Sequence, residues 1–151
     1  MGVGESLAEA AMREAREETG LEVRLTRLVG IYSRPIWRTD SSHVVVFSAI
    51  PQDGELKPQP GEVLQMRYFA QEEIPEELLV GQERRIKDAL EGVSGAVWVQ
   101  NMDWPFKQEI TRREIYELRD RSGLSRSEFY LQTFGQYGPD DEKLEIKGLK
   151  C

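Results

Sequence analysis

The chain has 151 residues, 39% hydrophobic and 31% charged, with a formal net charge of −7. That size and balance fit one compact soluble domain and exclude a disordered chain, and no run approaches the roughly 20 apolar residues that span a bilayer. The acidic excess argues against long nucleic acid as a partner, but not against a small phosphorylated one whose charge a bound cation can screen.

In chain order, Ser6-Leu-Ala-Glu9 reads as a capping box, which starts a helix over about Leu7 to Thr19. Gly20 is placed to end it in the left-handed conformation. Residues 21–34 alternate as a strand, and Ser42 to Ile50 is a β-branched and aromatic run typical of a buried strand. Asp53-Gly54 signals a turn, and Val63 to Ala70 alternates as a third strand. Pro75 opens a second helix to about Glu91, with Leu78, Leu79, Ile86, Ala89 and Leu90 facing inward. Ala96 to Val99 is a short fourth strand, and a charged helix over Glu109 to Ser122 precedes a shorter one. This order predicts an α/β (α+β) fold, a mixed sheet sandwiched between helices.

The chemistry concentrates on the first helix. With 100° per residue and Leu7 at zero, Glu14 falls at about 340°, Glu18 at about 20° and Glu17 at about 280°, so the first two share the apolar arc. Burying like charges together is costly unless a cation compensates them. The spacings of three and four residues let Glu14, Glu17 and Glu18 converge, and hard oxygen donors on a rigid helix suit Mg²⁺ or Mn²⁺.

The run Glu5-x7-Arg13-Glu14-Ala15-x-Glu17-Glu18-x-Gly20-Leu21 resembles the Nudix box, Gly-x5-Glu-x7-Arg-Glu-U-x-Glu-Glu-x-Gly-U, where U is a bulky aliphatic residue. Six rigid positions match, far more than average residue frequencies would give by chance. Ala15 is smaller than the usual aliphatic residue, and the opening glycine would precede Met1. The likeness is tight over residues 4–21 and looser to about residue 100. The resemblance implies hydrolysis of a nucleoside diphosphate linked to another group. It implies that Glu14, Glu17 and Glu18 hold the metal, that Arg13 orients a carboxylate, and that Glu5 braces the loop entering the helix.

The general base implied by the family is either a box glutamate or a later loop carboxylate. Glu62, in Gln59-Pro-Gly-Glu62, stands where many members carry such a residue; its other reading is a surface loop glutamate. His43, the only histidine, reads as a strand-entry residue. The segment Tyr32-Ser-Arg-Pro-Ile-Trp37-Arg38 offers Arg34, Trp37 and Arg38 to stack on a base and grip phosphate, or packs its own aromatics. Pro35 lies 15 residues after Gly20, near the place where ADP-ribose-cleaving members carry a proline. Trp104-Pro-Phe106 is similar to part of a motif of NADH-cleaving members but lies far too late in the chain.

These readings place a Nudix-like domain at 1–100, lacking its first strands, and a helical extension at 101–151. With five residues before the helix, Met1 reads as an internal residue or misplaced start. Residues 107–130 carry six Lys/Arg and five Asp/Glu, so no basic face stands out, and a solvated or homodimer-forming extension is favoured over DNA binding. The lone cysteine at Cys151 and the absence of a signal-peptide pattern point to a cytoplasmic protein with a small nucleotide-like substrate and no membrane partner. The alternative function is a non-catalytic nucleotide-sensing regulator on the same fold, which would have no need of all three glutamates.

Overall fold

The computed structural model describes residues 4–37, 40–57, 66–75, 78, 81–101, 104–106, 110–135 and 137–150, without the side chains of 35–37, 40, 41, 112 and 139. The chain divides into two compact units, residues 1–28 with 47–74 and residues 29–46 with 75–151. Parallel and antiparallel strand pairs occur in one sheet, together with four helices, as the expected mixed α/β fold requires.

The first unit begins with α1 (Leu7–Thr19). The Ser6 hydroxyl accepts from the Glu9 N–H at 3.2 Å, and the Glu9 carboxylate accepts from the Ser6 N–H at 2.8 Å. Gly20 closes the helix at φ 77°, and a Cβ there would lie 2.6 Å from the Glu55 carbonyl oxygen. The chain then turns directly into β1 (Leu21–Trp37), and its opening half shares the unit with the closing half of β2 (Asp40–Gly54). Ser48 links them, its carbonyl accepting from the Thr26 hydroxyl at 3.0 Å and its hydroxyl from Arg27 at 3.0 Å. A third strand does not form over residues 66–70, and 63–65 lie outside the described residues.

The second unit holds the later part of β1, the opening part of β2, α2 (Gln82–Leu90), β3 (Val93–Ser94), β4 (Ala96–Gln100), α3 (Arg112–Ser122), α4 (Arg126–Phe134), β5 (Glu142–Ile146) and β6 (Leu149–Lys150). The four-stranded sheet has the order β2-β1-β4-β5, and β3 pairs with β6 separately. β1 and β4 run parallel from Gly30↔Ala96 to Ser33↔Val99, and β4 and β5 run antiparallel. The glycine matters here, because a Cβ on Gly30 would lie 2.5 Å from the Ala96 carbonyl oxygen.

One register step of two residues beyond that contact, Tyr32 and Trp98 stand side by side on the same face. Both donate to one oxygen of Asp88 on α2, each at 2.9 Å. Asp88 is 4% exposed and Tyr32 fully buried, so this carboxylate fastens the helix to the parallel pair. Burial, and then the Asp88 carboxylate, raise the Tyr32 phenol above its usual range, which keeps it a donor.

Three expectations change. α2 begins at Gln82 rather than at Pro75, because Gly81 before it takes the left-handed conformation at φ 80° and breaks the run. Leu90 is exposed instead of inward, and Leu79 lies outside the described residues. Residues 101–151 are not purely helical, since Lys143-Leu-Glu-Ile146 has the two-residue alternation of a strand and β5 pairs with β4. The segment therefore contributes to the sheet, and a further strand, β6, follows.

Helices α3 and α4 form a capped hairpin, with Thr111 and Ser125 as N-caps and Gly123 left-handed between them. Ile115, Phe129 and Tyr130 are its buried centre, against which Trp104, Phe106, Ile110, Leu124 and Phe134 pack. Trp104 and Phe106 meet edge to face with centroids 5.4 Å apart, which gives the Trp104-Pro-Phe106 triplet a packing role.

Asp88→Ala leaves two buried donors without an acceptor and is expected to cost about 2–5 kcal/mol in urea unfolding. Gly30→Ala forces the parallel strands apart and is expected to cost about 1–3 kcal/mol. Gly138→Ala, where an added Cβ meets nothing within 4 Å, is the neutral control. Unchanged unfolding midpoints for Asp88→Ala and Gly30→Ala would contradict this account of the second unit.

Candidate active site

Because α1 is one rigid helix, its side chains are set by spacing. Arg13 is the hub. Its Nε and Nη2 donate to the two oxygens of Glu5 at 2.8 and 3.2 Å, and its Nη1 donates to Glu17 at 2.8 Å. Glu14 lies at 3.5 Å from Nη2. Glu17 is one helical turn beyond Arg13, within natural reach. Glu5 precedes the N-cap, and its side chain is only 17% exposed, so the fork ties the entry of the helix to its middle. The Glu5 hydrogen bond raises the Arg13 pKa above its ordinary range, and the guanidinium stays charged.

The glutamates do not face a core. Glu14, Glu17 and Glu18 are all exposed, and among the described residues of α1 only Ala10 is buried. Leu7, the largest side chain of the expected apolar arc, is itself 54% exposed. An arc built mainly of alanines is too shallow to define a buried face, and its carboxylates stay solvated.

The donor set fits a hard divalent cation in kind, being three carboxylates within one turn and a half of a helix. As placed, they do not form a group of three converging donors, and no such group occurs among the described residues. Glu17 is engaged by Arg13, whereas exposed glutamate side chains change rotamer at little cost.

Of the other candidates, Glu62 and Arg38 lie outside the described residues. Trp37 ends β1, with its side chain outside them. Arg34 is half-buried on β1, and burial lowers its pKa. His43 is exposed on β2, with Nδ1 at 3.1 Å from the Ser33 hydroxyl, in keeping with an ordinary strand residue.

Sequence reasoning missed a second polar cluster, entirely within the second unit. Glu142 accepts from Arg84 at 2.8 Å, from Gln100 at 2.9 Å and from Tyr137 at 3.2 Å. Gln100 is fully buried; it donates to the Gly81 carbonyl at 3.0 Å and accepts from Arg85 at 2.7 Å. Burial, and then the neighbouring Arg34, push the Arg85 guanidinium down to about 10. Arg84 and Arg85 stand in the first turn of α2, where the helix dipole disfavours cations, but with the helix read as starting at Pro75 nothing in the sequence signalled it.

The family model described as the NUDIX domain matches residues 1–90. The NAD-capped RNA hydrolase NudC of Vibrio vulnificus is 40% identical over 73 residues, covering 48% of this chain and 27% of that protein. NudC of Vibrio cholerae is 40% identical over 73 residues, 48% of this chain and 26% of that protein. The ADP-ribose pyrophosphatase of Methanocaldococcus jannaschii is 35% identical over 94 residues, 61% of this chain and 54% of that protein. The matches thus span from about a quarter to about half the length of these relatives. No solved structure gave a significant match. With more than half of its length matched, with Arg13 and the three glutamates arrayed on one capped helix and Glu5 just ahead of its cap, the chain belongs to the Nudix family.

Proposed function

We propose that this chain hydrolyses the diphosphate linkage of a small nucleotide such as ADP-ribose, with a divalent cation held by Glu14, Glu17 and Glu18. The observation that carries the reading is the Arg13 fork, which fixes the helix entry through Glu5 while leaving the glutamates open to solvent. Relatives named for NAD-capped RNA and for ADP-ribose support it, since both substrates contain a diphosphate joining adenosine to a second ribose. NAD-capped RNA also keeps a capped nucleic-acid end open as a substrate, although the net charge of −7 argues against a grip on a long phosphate backbone.

Bound Mg²⁺ or Mn²⁺ supplies neutralisation of phosphate oxygens and a more acidic water. The protein's own share is positional. Arg13 holds Glu17 in a defined orientation and leaves Glu18 for a ligand role. In this reading Arg34 and Arg38 grip phosphate, Trp37 stacks on the base and Glu62 accepts the proton of the attacking water. No helix among the described residues is long and apolar enough to cross a membrane.

Glu18→Gln is the cleanest test, because Glu17→Gln also removes the ion pair to Arg13. The Glu18→Gln variant is expected to keep its melting temperature and to lose at least about a hundredfold in kcat with ADP-ribose and Mg²⁺. Near-normal turnover would return Glu18 to a solvated helix face and overturn the assignment.

A further inference from the structure

Beneath α2, side chains alternate by two along the parallel strands. Gly30 and Tyr32 of β1 stand beside Ala96 and Trp98 of β4. The pairing runs to Ser33↔Val99, and Arg34 and Gln100 are the next residue of each strand, toward the carboxyl ends. In open α/β sheets, ligands bind at the carboxyl ends of parallel strands.

Above this point α2 brings Arg84 and Arg85 in its first turn. Arg84 is compensated by Glu142 at 2.8 Å and lies over the Trp98 ring at 4.4 Å. Arg85 is not matched in this way. Its Nη2 meets the neutral Gln100 oxygen at 2.7 Å, its guanidinium lies 5.6 Å from the Tyr32 ring centre, and its Nε is buried without a hydrogen-bond partner. Among the described residues no carboxylate forms an ion pair with it. Glu142 acts on Arg85 only through space, its hydrogen bonds going to Arg84, Gln100 and Tyr137. The positive charge of a second guanidinium, Arg34, lowers the Arg85 pKa further.

Holding a half-buried guanidinium beside another, on a neutral amide, is costly unless an anion completes the cluster. We propose that Arg85 and Arg34, braced by Gln100, form a recognition site for a phosphate group. A guanidinium fork matches phosphate in two-point geometry, and two forks match its double charge. The phosphate comes either from the nucleotide substrate or from a separate phosphorylated molecule. The site lies wholly within the second unit and is independent of the metal-binding reading of α1.

The test is calorimetric titration of inorganic phosphate, and separately of ADP-ribose, into the full chain in EDTA at fixed ionic strength. EDTA removes any contribution of a cation on the α1 glutamates, so this result stands apart from the outcome for Glu18→Gln. Wild type is expected to bind phosphate, and Arg85→Gln to bind it at least about tenfold more weakly. Arg85→Lys, which keeps the charge and loses the fork, should fall between them. A parallel loss of ADP-ribose affinity identifies the substrate as the source; unchanged ADP-ribose affinity identifies a separate molecule. If Arg85→Gln fails to fold, Arg34→Gln should show the same loss. Absence of phosphate binding to wild type, or equal binding by the variants, would overturn the proposal.

Discussion

Everything proposed for α1 depends on the guanidinium of Arg13. One planar group reaches back to Glu5, ahead of the N-cap, and forward one turn to Glu17. Two of its hydrogen bonds fasten the segment entering the helix, and a third fixes one carboxylate among three. A lysine could supply the charge but not the fork, because its ammonium has no planar two-point geometry. The capping box at Ser6 and Glu9 and the left-handed Gly20 close the two ends of the helix, so the glutamates are displayed on a segment with defined limits. Their exposure follows from the alanines around them: small side chains give α1 little apolar surface to bury, and the carboxylates keep their hydration.

The second unit solves a different problem. A parallel strand pair must be joined by a crossover, and here the crossover helix α2 is tied down by a buried charge. Asp88 is satisfied by two aromatic donors on one oxygen and faces Arg84 at 3.9 Å with the other, which is why a carboxylate can sit 4% exposed in a core. At the start of the same helix the arrangement is less balanced. Arg84 has Glu142, whereas Arg85 has an amide and an aromatic ring. The exposed ion pairs elsewhere, such as Arg113–Glu117 and Lys87–Glu91, contribute little by comparison.

Legibility in the sequence followed the range of the interactions. α1 was readable to the residue, because Ser6, Glu9 and Gly20 act locally and each has one strong structural meaning. β1 was readable from alternation and β2 from its β-branched run, although both extend beyond the predicted limits and no described residue of β2 is buried as that run suggested. The start of α2 was not, because Pro75 is a permissible opening residue and nothing local shows that Gly81 will turn left-handed. β5 was hidden behind Gly138-Pro-Asp-Asp, which reads as a loose end until β4 supplies a partner. The helical wheel misjudged the surroundings of Glu14 and Glu18, since periodicity locates a face but not what covers it. The Asp88 and Glu142 clusters join residues up to 58 positions apart, and such pairings leave no local signature.

Cation binding by the α1 carboxylates is read out without any substrate by Mn²⁺ uptake followed by electron paramagnetic resonance. Titration of the wild-type chain should show bound Mn²⁺, and single substitutions Glu14→Gln and Glu18→Gln should each weaken uptake by at least about tenfold. A wild-type chain that takes up no Mn²⁺, or substituted chains that take it up equally well, would contradict the account.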